Sequence, residues 1–144
     1  ARDEESLLLD LDRELHALQA AAPEEVDTTL LIHPGVLDAF EDFTCFLGLV
    51  DVLLKTKRLR GVLQVASFHP DYAFVDTDHD DVTNYTNRSP FPILHLLREA
   101  SIDRAVAAIP DAAAIYERNM QTLRELGHDG WHKLGVGAPA RGKA

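Results

Sequence analysis

SFHPDYAFVDTDHDDVTNYTNRSPFPILHLLRE, residues 67–99, holds more chemistry-bearing side chains than any other segment of the chain. It leaves a strand-like run, crosses a long polar segment and ends in the apolar run FPILHLL. Ser89-Pro90 is a strong helix entry, because Ser is a preferred N-cap and Pro a preferred first helical residue. On that signal the spacing predicts a helix from Pro90, with Ile93, Leu94, Leu97 and Ala100 as its buried stripe.

Working outward, VLQVASF (62–68) predicts a strand closed by His69-Pro70, and TTLLI (28–32) a strand closed by His33-Pro34-Gly35. Between them, residues 36–57 predict a helix with Val36, Phe40, Phe43, Leu47, Val50 and Leu54 on one face. Strand, helix and strand within this length make a βαβ unit with parallel strands and a right-handed crossover. Parallel strands that both end in His-Pro deliver His33 and His69 to one sheet edge, the carboxyl edge where open α/β sheets bind ligands. The expected fold class is therefore α/β (or α+β): a small sheet with a parallel βαβ core packed by about four helices. Two strands are too few for a stable sheet. A third is expected near Ala73–Val75, antiparallel to 62–68, or from an upstream segment or a partner chain.

The flanks are helical. Leu8, Leu11, Leu15 and Leu18 predict an amphipathic helix over 6–22, with Ser6 as N-cap and Pro23 as stop. Asp111 to Leu126 predicts a last helix with Gly127 as its C-cap, and Trp131 packing back onto the body. Residues 1–134 are read as one domain and 135–144 (GVGAPARGKA) as a disordered tail.

Composition bounds the partners. Fourteen basic against 24 acidic residues give a formal charge of −10, which disfavours nucleic acid or an anionic membrane surface as partner. No apolar run reaches the ~18 residues of a membrane span. The lone Cys45 allows no internal disulfide, which fits a reducing compartment and a cytoplasmic location. Cys45 lies in a predicted helix among Phe43, Phe46 and Leu47, where a free Cys behaves as a small hydrophobe. A homo-oligomer is compatible with this composition.

Chemistry-bearing groups concentrate in and beside the 69–90 loop. Arg88, at the predicted helix entry with Asn87 and Ser89, suits a phosphate or carboxylate; Tyr85, His95 and Arg98 are further substrate-binding candidates. The competing reading has Arg88 pair with Asp80 or Asp81 to hold the loop shut. His33 and His69, with Asp81 orienting one of them, are the candidate catalytic groups, as acid/base on a phosphoester or carbonyl substrate in hydrolase or transferase chemistry. The same three are candidate ligands of a divalent metal, although their spacing matches no established ligand motif. Two functions stand side by side: a small-molecule enzyme acting on an anionic, phosphorylated or carboxylated metabolite, and a non-catalytic protein using the 69–90 loop to hold a ligand or partner.

The segments TLLIHP (29–34), QVASFHPDYAF (64–74), the acidic pair at 80–81, NYTNRSPFPILHLLREASIDRAV (84–106) and IYERNMQTLRELGHDGW (115–131) resemble the domain-of-unknown-function family numbered 1415. The likeness runs from Ser6 to Trp131. It implies an upstream segment carrying an Asn-Leu-Cys-Pro-Phe-Ala motif and a strand, which the sequence here does not contain. Where members often show Gly after the Phe equivalent to Phe74, this chain has Val75-Asp76. The resemblance implies no activity.

Overall fold

The computed structural model describes residues 1–136. Its elements are α1 (Glu4–Ala20), β1 (Thr28–Ile32), α2 (Phe40–Thr56), β2 (Leu63–Phe68), a 3-10 helix (Val82–Asn87), β3 (Ile93–Arg98), α3 (Glu99–Ala107) and α4 (Ala112–Lys133). Apart from residues 135 and 136, the tail expected to be disordered lies outside the described residues.

The 67–99 stretch folds differently from its helix signal. Residues 93–98 are a strand, and the strand is central: the order is β1-β3-β2, with β3 antiparallel to both neighbours. The expected parallel βαβ core is corrected to an antiparallel sheet. Ser89 and Phe91 each precede a proline, and the proline ring pushes the preceding residue out of the helical region. At Ser89 this suits an N-cap, but at Phe91, the second helical position, it disfavours a first turn. The run that follows alternates instead, with Leu94 and Leu96 fully buried and their neighbours partly so. The missing third strand is thus β3, and Ala73–Val75 is not a strand. His95 and Glu99 lie on the strand and at the start of α3.

One consequence of the βαβ reading survives. Because β1 and β2 both oppose β3, they run in the same direction, and His33 and His69 leave the sheet at the same edge. Ile32 and Phe68 both pair with Ile93 there, while Arg98 pairs with Leu63 at the other edge.

Helices α1 and α2 pack on one face of the sheet. Leu7, Leu11, Leu15 and Leu18 repeat at three- and four-residue intervals and meet Phe43, Phe46, Val50 and Leu54 over Leu63, Leu94 and Leu96. Asp3 caps α1, and Ser6, expected at the cap, is the reciprocal partner in a capping box. At the far end Arg98 donates to Leu18 O, Ala21 O and Val26 O at 2.6, 2.8 and 2.9 Å, satisfying carbonyls that a helix end leaves open. Arg98 therefore ties α1 to the edge opposite the histidines, away from the loop. Cys45 faces outward on α2 rather than into the core. The second sheet face carries Leu30 and Ile32 half-exposed beside His95. No described helix is long and apolar enough to cross a membrane.

Candidate functional site

The two His-Pro corners build a buried histidine pair. Both rings flank Phe43, with centroids 5.9 Å away for His33 and 5.1 Å for His69. His69 Nδ1 accepts from Asp71 N–H at 3.0 Å, so its proton sits on Nε2, which donates to Leu37 O at 3.0 Å. That carbonyl belongs to a residue with φ +61°, a left-handed conformation that a leucine holds only when its surroundings impose it. His33 Nδ1 donates to Val36 O at 2.9 Å. Its Nε2 is left as a buried lone pair without a partner among the described residues.

Burial, with the neighbouring His69 adding to it, holds His33 below the ordinary imidazole value of 6.5 even though the Val36 bond works the other way. The folded protein then takes up fewer protons than the unfolded chain below that value, so stability present above pH 6.5 is lost as pH falls through it. His95, lowered by burial, adds in the same direction. The urea midpoint is expected to fall between pH 7 and 5, with a smaller fall in His33→Gln. A midpoint flat across that range in the wild type would contradict this.

Asp81 does not reach the histidine pair as an orienting group. It caps the 3-10 helix, its Oδ1 accepting from Thr83 Oγ1 at 2.7 Å and Thr83 N–H at 2.8 Å, and these bonds hold its carboxyl below the usual range. Among the described residues no three His, Cys, Asp or Glu side chains gather as a metal-ligand set, and both nitrogens of His69 are engaged with backbone.

The loop between β2 and β3 is ordered by buried polar side chains. Asn84, fully buried, accepts from Phe74 N–H at 3.0 Å and Thr77 Oγ1 at 2.8 Å, and donates to Asp78 O at 2.8 Å. Sequence reading passed over this residue, because a buried hub and an exposed turn use the same Asn. Asn87 donates to Ser67 O at 3.0 Å and pins the loop to the end of β2. Arg88 spans the loop, Nε donating to Tyr72 O at 3.0 Å and Nη2 to His79 O at 2.6 Å. It holds the loop shut through carbonyls rather than through Asp80 or Asp81. His95 stands on the open sheet face: the Thr28 hydroxyl donates to Leu96 O at 2.7 Å, so it accepts from His95 Nε2 at 2.6 Å.

Three of the candidate binding residues do come together. Tyr85, Arg88 and Ser89 line a cleft of about 280 Å³ with Pro70, Pro90, Trp131 and His132. Trp131 stacks on Tyr85 at 4.6 Å and 15°, and Arg88 Cζ lies over the Tyr85 ring at 5.2 Å. The far wall exists because α4 breaks at Gly127, whose φ of 64° and ψ of 178° fall in a region open essentially to glycine alone. The expected C-cap at Gly127 is thus a kink, after which the helix resumes and turns His128, Trp131 and His132 toward the loop. Trp131 packs back as expected. His128 and His132 were missed; their signal was the spacing GHDGWH (127–132), which puts His128, Trp131 and His132 on one helical face after a break.

A family model described as "Protein of unknown function (DUF1415)" matches residues 1–133. The chain belongs to this family. No curated protein and no solved structure matches it.

Proposed function

We propose, for this member of a family whose description assigns no activity, that the protein binds a small anionic ligand with a flat apolar portion in the cleft between the 69–90 loop and the end of α4. The single observation that carries the reading is the lining itself. One guanidinium and one imidazole converge with Tyr85 and Trp131, a few polar groups set among aromatic walls as small-molecule sites require, while the Ser89 hydroxyl donates to Phe91 O at 2.5 Å. Arg88 has five N–H donors, and its two Nη1 N–H groups are unengaged among the described residues, which leaves donors for a carboxylate or phosphate. A volume near the low end for ligand pockets favours a ligand of fragment size.

On this reading His33, His69, Asn87 and Asp81 serve the architecture that presents the cleft, and the ligand-holding alternative is favoured over chemistry at the histidine pair. The buried positions of His33 and His69 and their bonds to the 36–37 turn support that choice.

Thermal unfolding with a panel of carboxylates and phosphates, with and without an aromatic ring, tests it. A ligand at about 100 times its Kd adds about 2.7 kcal/mol, which raises the midpoint by several degrees. Ring-bearing anions are expected to outperform inorganic phosphate, and His132→Ala to reduce the rise more than Ser89→Ala, whose hydroxyl already donates to Phe91 O. These variants are preferred to Arg88→Ala, which also removes the loop's fastening. No rise with any anion, or a rise untouched by both variants, overturns the proposal.

A further inference from the structure

We propose that Tyr85 Oη is a proton-transfer group of this cleft, with His128 as its base and the Asp80 carbonyl as the group that orients His128. The inference rests on the ligand-binding reading of the cleft and adds a reaction to it.

The proton positions follow from hydrogen-bond chemistry. Asp80 O can only accept, so His128 Nε2, 2.8 Å away, carries a proton. In the neutral ring Nδ1 is then a lone pair, and the Tyr85 hydroxyl at 2.9 Å donates to it. A hydroxyl, a base that accepts its proton and a third group fixing the base's tautomer form the arrangement that activates weak oxygen nucleophiles and bases. A clasp between loop and helix would need only one of these bonds. Here Tyr85 also lines the cleft, with the Arg88 guanidinium lying over its ring.

In the proposed step a proton on an acidic O–H or C–H of the bound anion passes to Tyr85 Oη as the phenolic proton passes to His128 Nδ1. The electron pair stays on the ligand, and the imidazolium keeps its Nε2 proton on Asp80 O. His128 is exposed, so it returns its extra proton to solvent.

The test needs no ligand, so its failure is distinct from failure of binding. N-acetylimidazole acetylates phenols: the acetyl carbon bonds to Oη as its bond to imidazole breaks, and the phenolic proton leaves to a base. The chain has three tyrosines, and Tyr116 is 54% exposed and serves as the internal standard. Peptide mass spectrometry is expected to show Tyr85 acetylated at least about tenfold faster than Tyr116, a conservative share of what a positioned base supplies. His128→Gln keeps one donor and one acceptor but is not a base, and is expected to remove that advantage while Trp131 emission stays unchanged. Long-range 1H–15N correlation in the wild type is expected to show the neutral His128 ring as the Nε2–H tautomer. Tyr85 reacting no faster than Tyr116, an undiminished rate in folded His128→Gln, or the Nδ1–H tautomer would each overturn the proposal.

Discussion

Asn84→Ala is expected to lower stability by about 2–4 kcal/mol. The estimate follows from what the amide serves. Its oxygen takes the Phe74 amide and the Thr77 hydroxyl, and its nitrogen satisfies Asp78 O, all around a side chain with no exposed surface. An alanine makes none of these bonds: the Thr77 hydroxyl keeps Phe74 O at 2.9 Å, but the part-buried Phe74 amide and Asp78 carbonyl each lose a partner, at about 1–3 kcal/mol apiece. Against the 5–15 kcal/mol typical of whole domains, the loss is large enough to matter at 37 °C. Urea denaturation measures it. A cost below 1 kcal/mol would mean that the loop is held elsewhere, and the cleft wall formed by Tyr85 and Arg88 would lose its stated support.

The second large effect distinguishes the strand from the helix that the sequence first suggested. In β3, Leu94 and Leu96 face α1 and α2, while Leu97 points to the opposite side of the sheet, beside Thr28 and Gln64. Leu94→Ala removes a fully buried side chain and is expected to cost about 2–5 kcal/mol. Leu97→Ala is expected to cost under about 1 kcal/mol, in line with a partly exposed position. A helix starting at Pro90 would put Leu94 and Leu97 on one face, with similar costs. Equal losses in the two variants would therefore contradict the antiparallel topology.

Much of the fold was legible because periodicity was long enough to read. The leucines of α1 extend over about three turns and the aromatic and aliphatic face of α2 over about four, long enough to fix each stripe, with Leu7 rather than the expected Leu8 at the buried start of the first. β1 and β2 were legible from apolar runs closed by His-Pro. β3 was not. ILHLLR is six residues long, too short for a 3.6-residue period to compete with a 2-residue one, and leucine fits either. The local Ser-Pro signal then decided wrongly. Its counter-signal, a second proline two residues later, stood in the same sequence and disfavoured the turn.

The site divides along the same line. Tyr85, Arg88 and Ser89 lie within five residues, and the density of functional groups there marked them out. Their partners Trp131 and His132 are more than 40 residues away and meet them only because a glycine redirects α4. His33 and His69 were correctly brought to one edge by a topology that was itself mistaken, since an interposed antiparallel strand leaves its two neighbours parallel. What sequence could not supply was their burial, which turns reactive-looking imidazoles into ties for the turn at Val36 and Leu37.

The most direct measurement follows the emission of Trp131, the chain's only tryptophan, while the cleft is titrated with the ring-bearing anion that gives the largest thermal shift. The ring forms one wall of the cleft and stacks on Tyr85. A saturable change in emission is expected, at ligand concentrations that account for the thermal shift and weakened in His132→Ala. Thermal stabilisation with no change at Trp131 would put the ligand elsewhere on the molecule and contradict the cleft as the binding site.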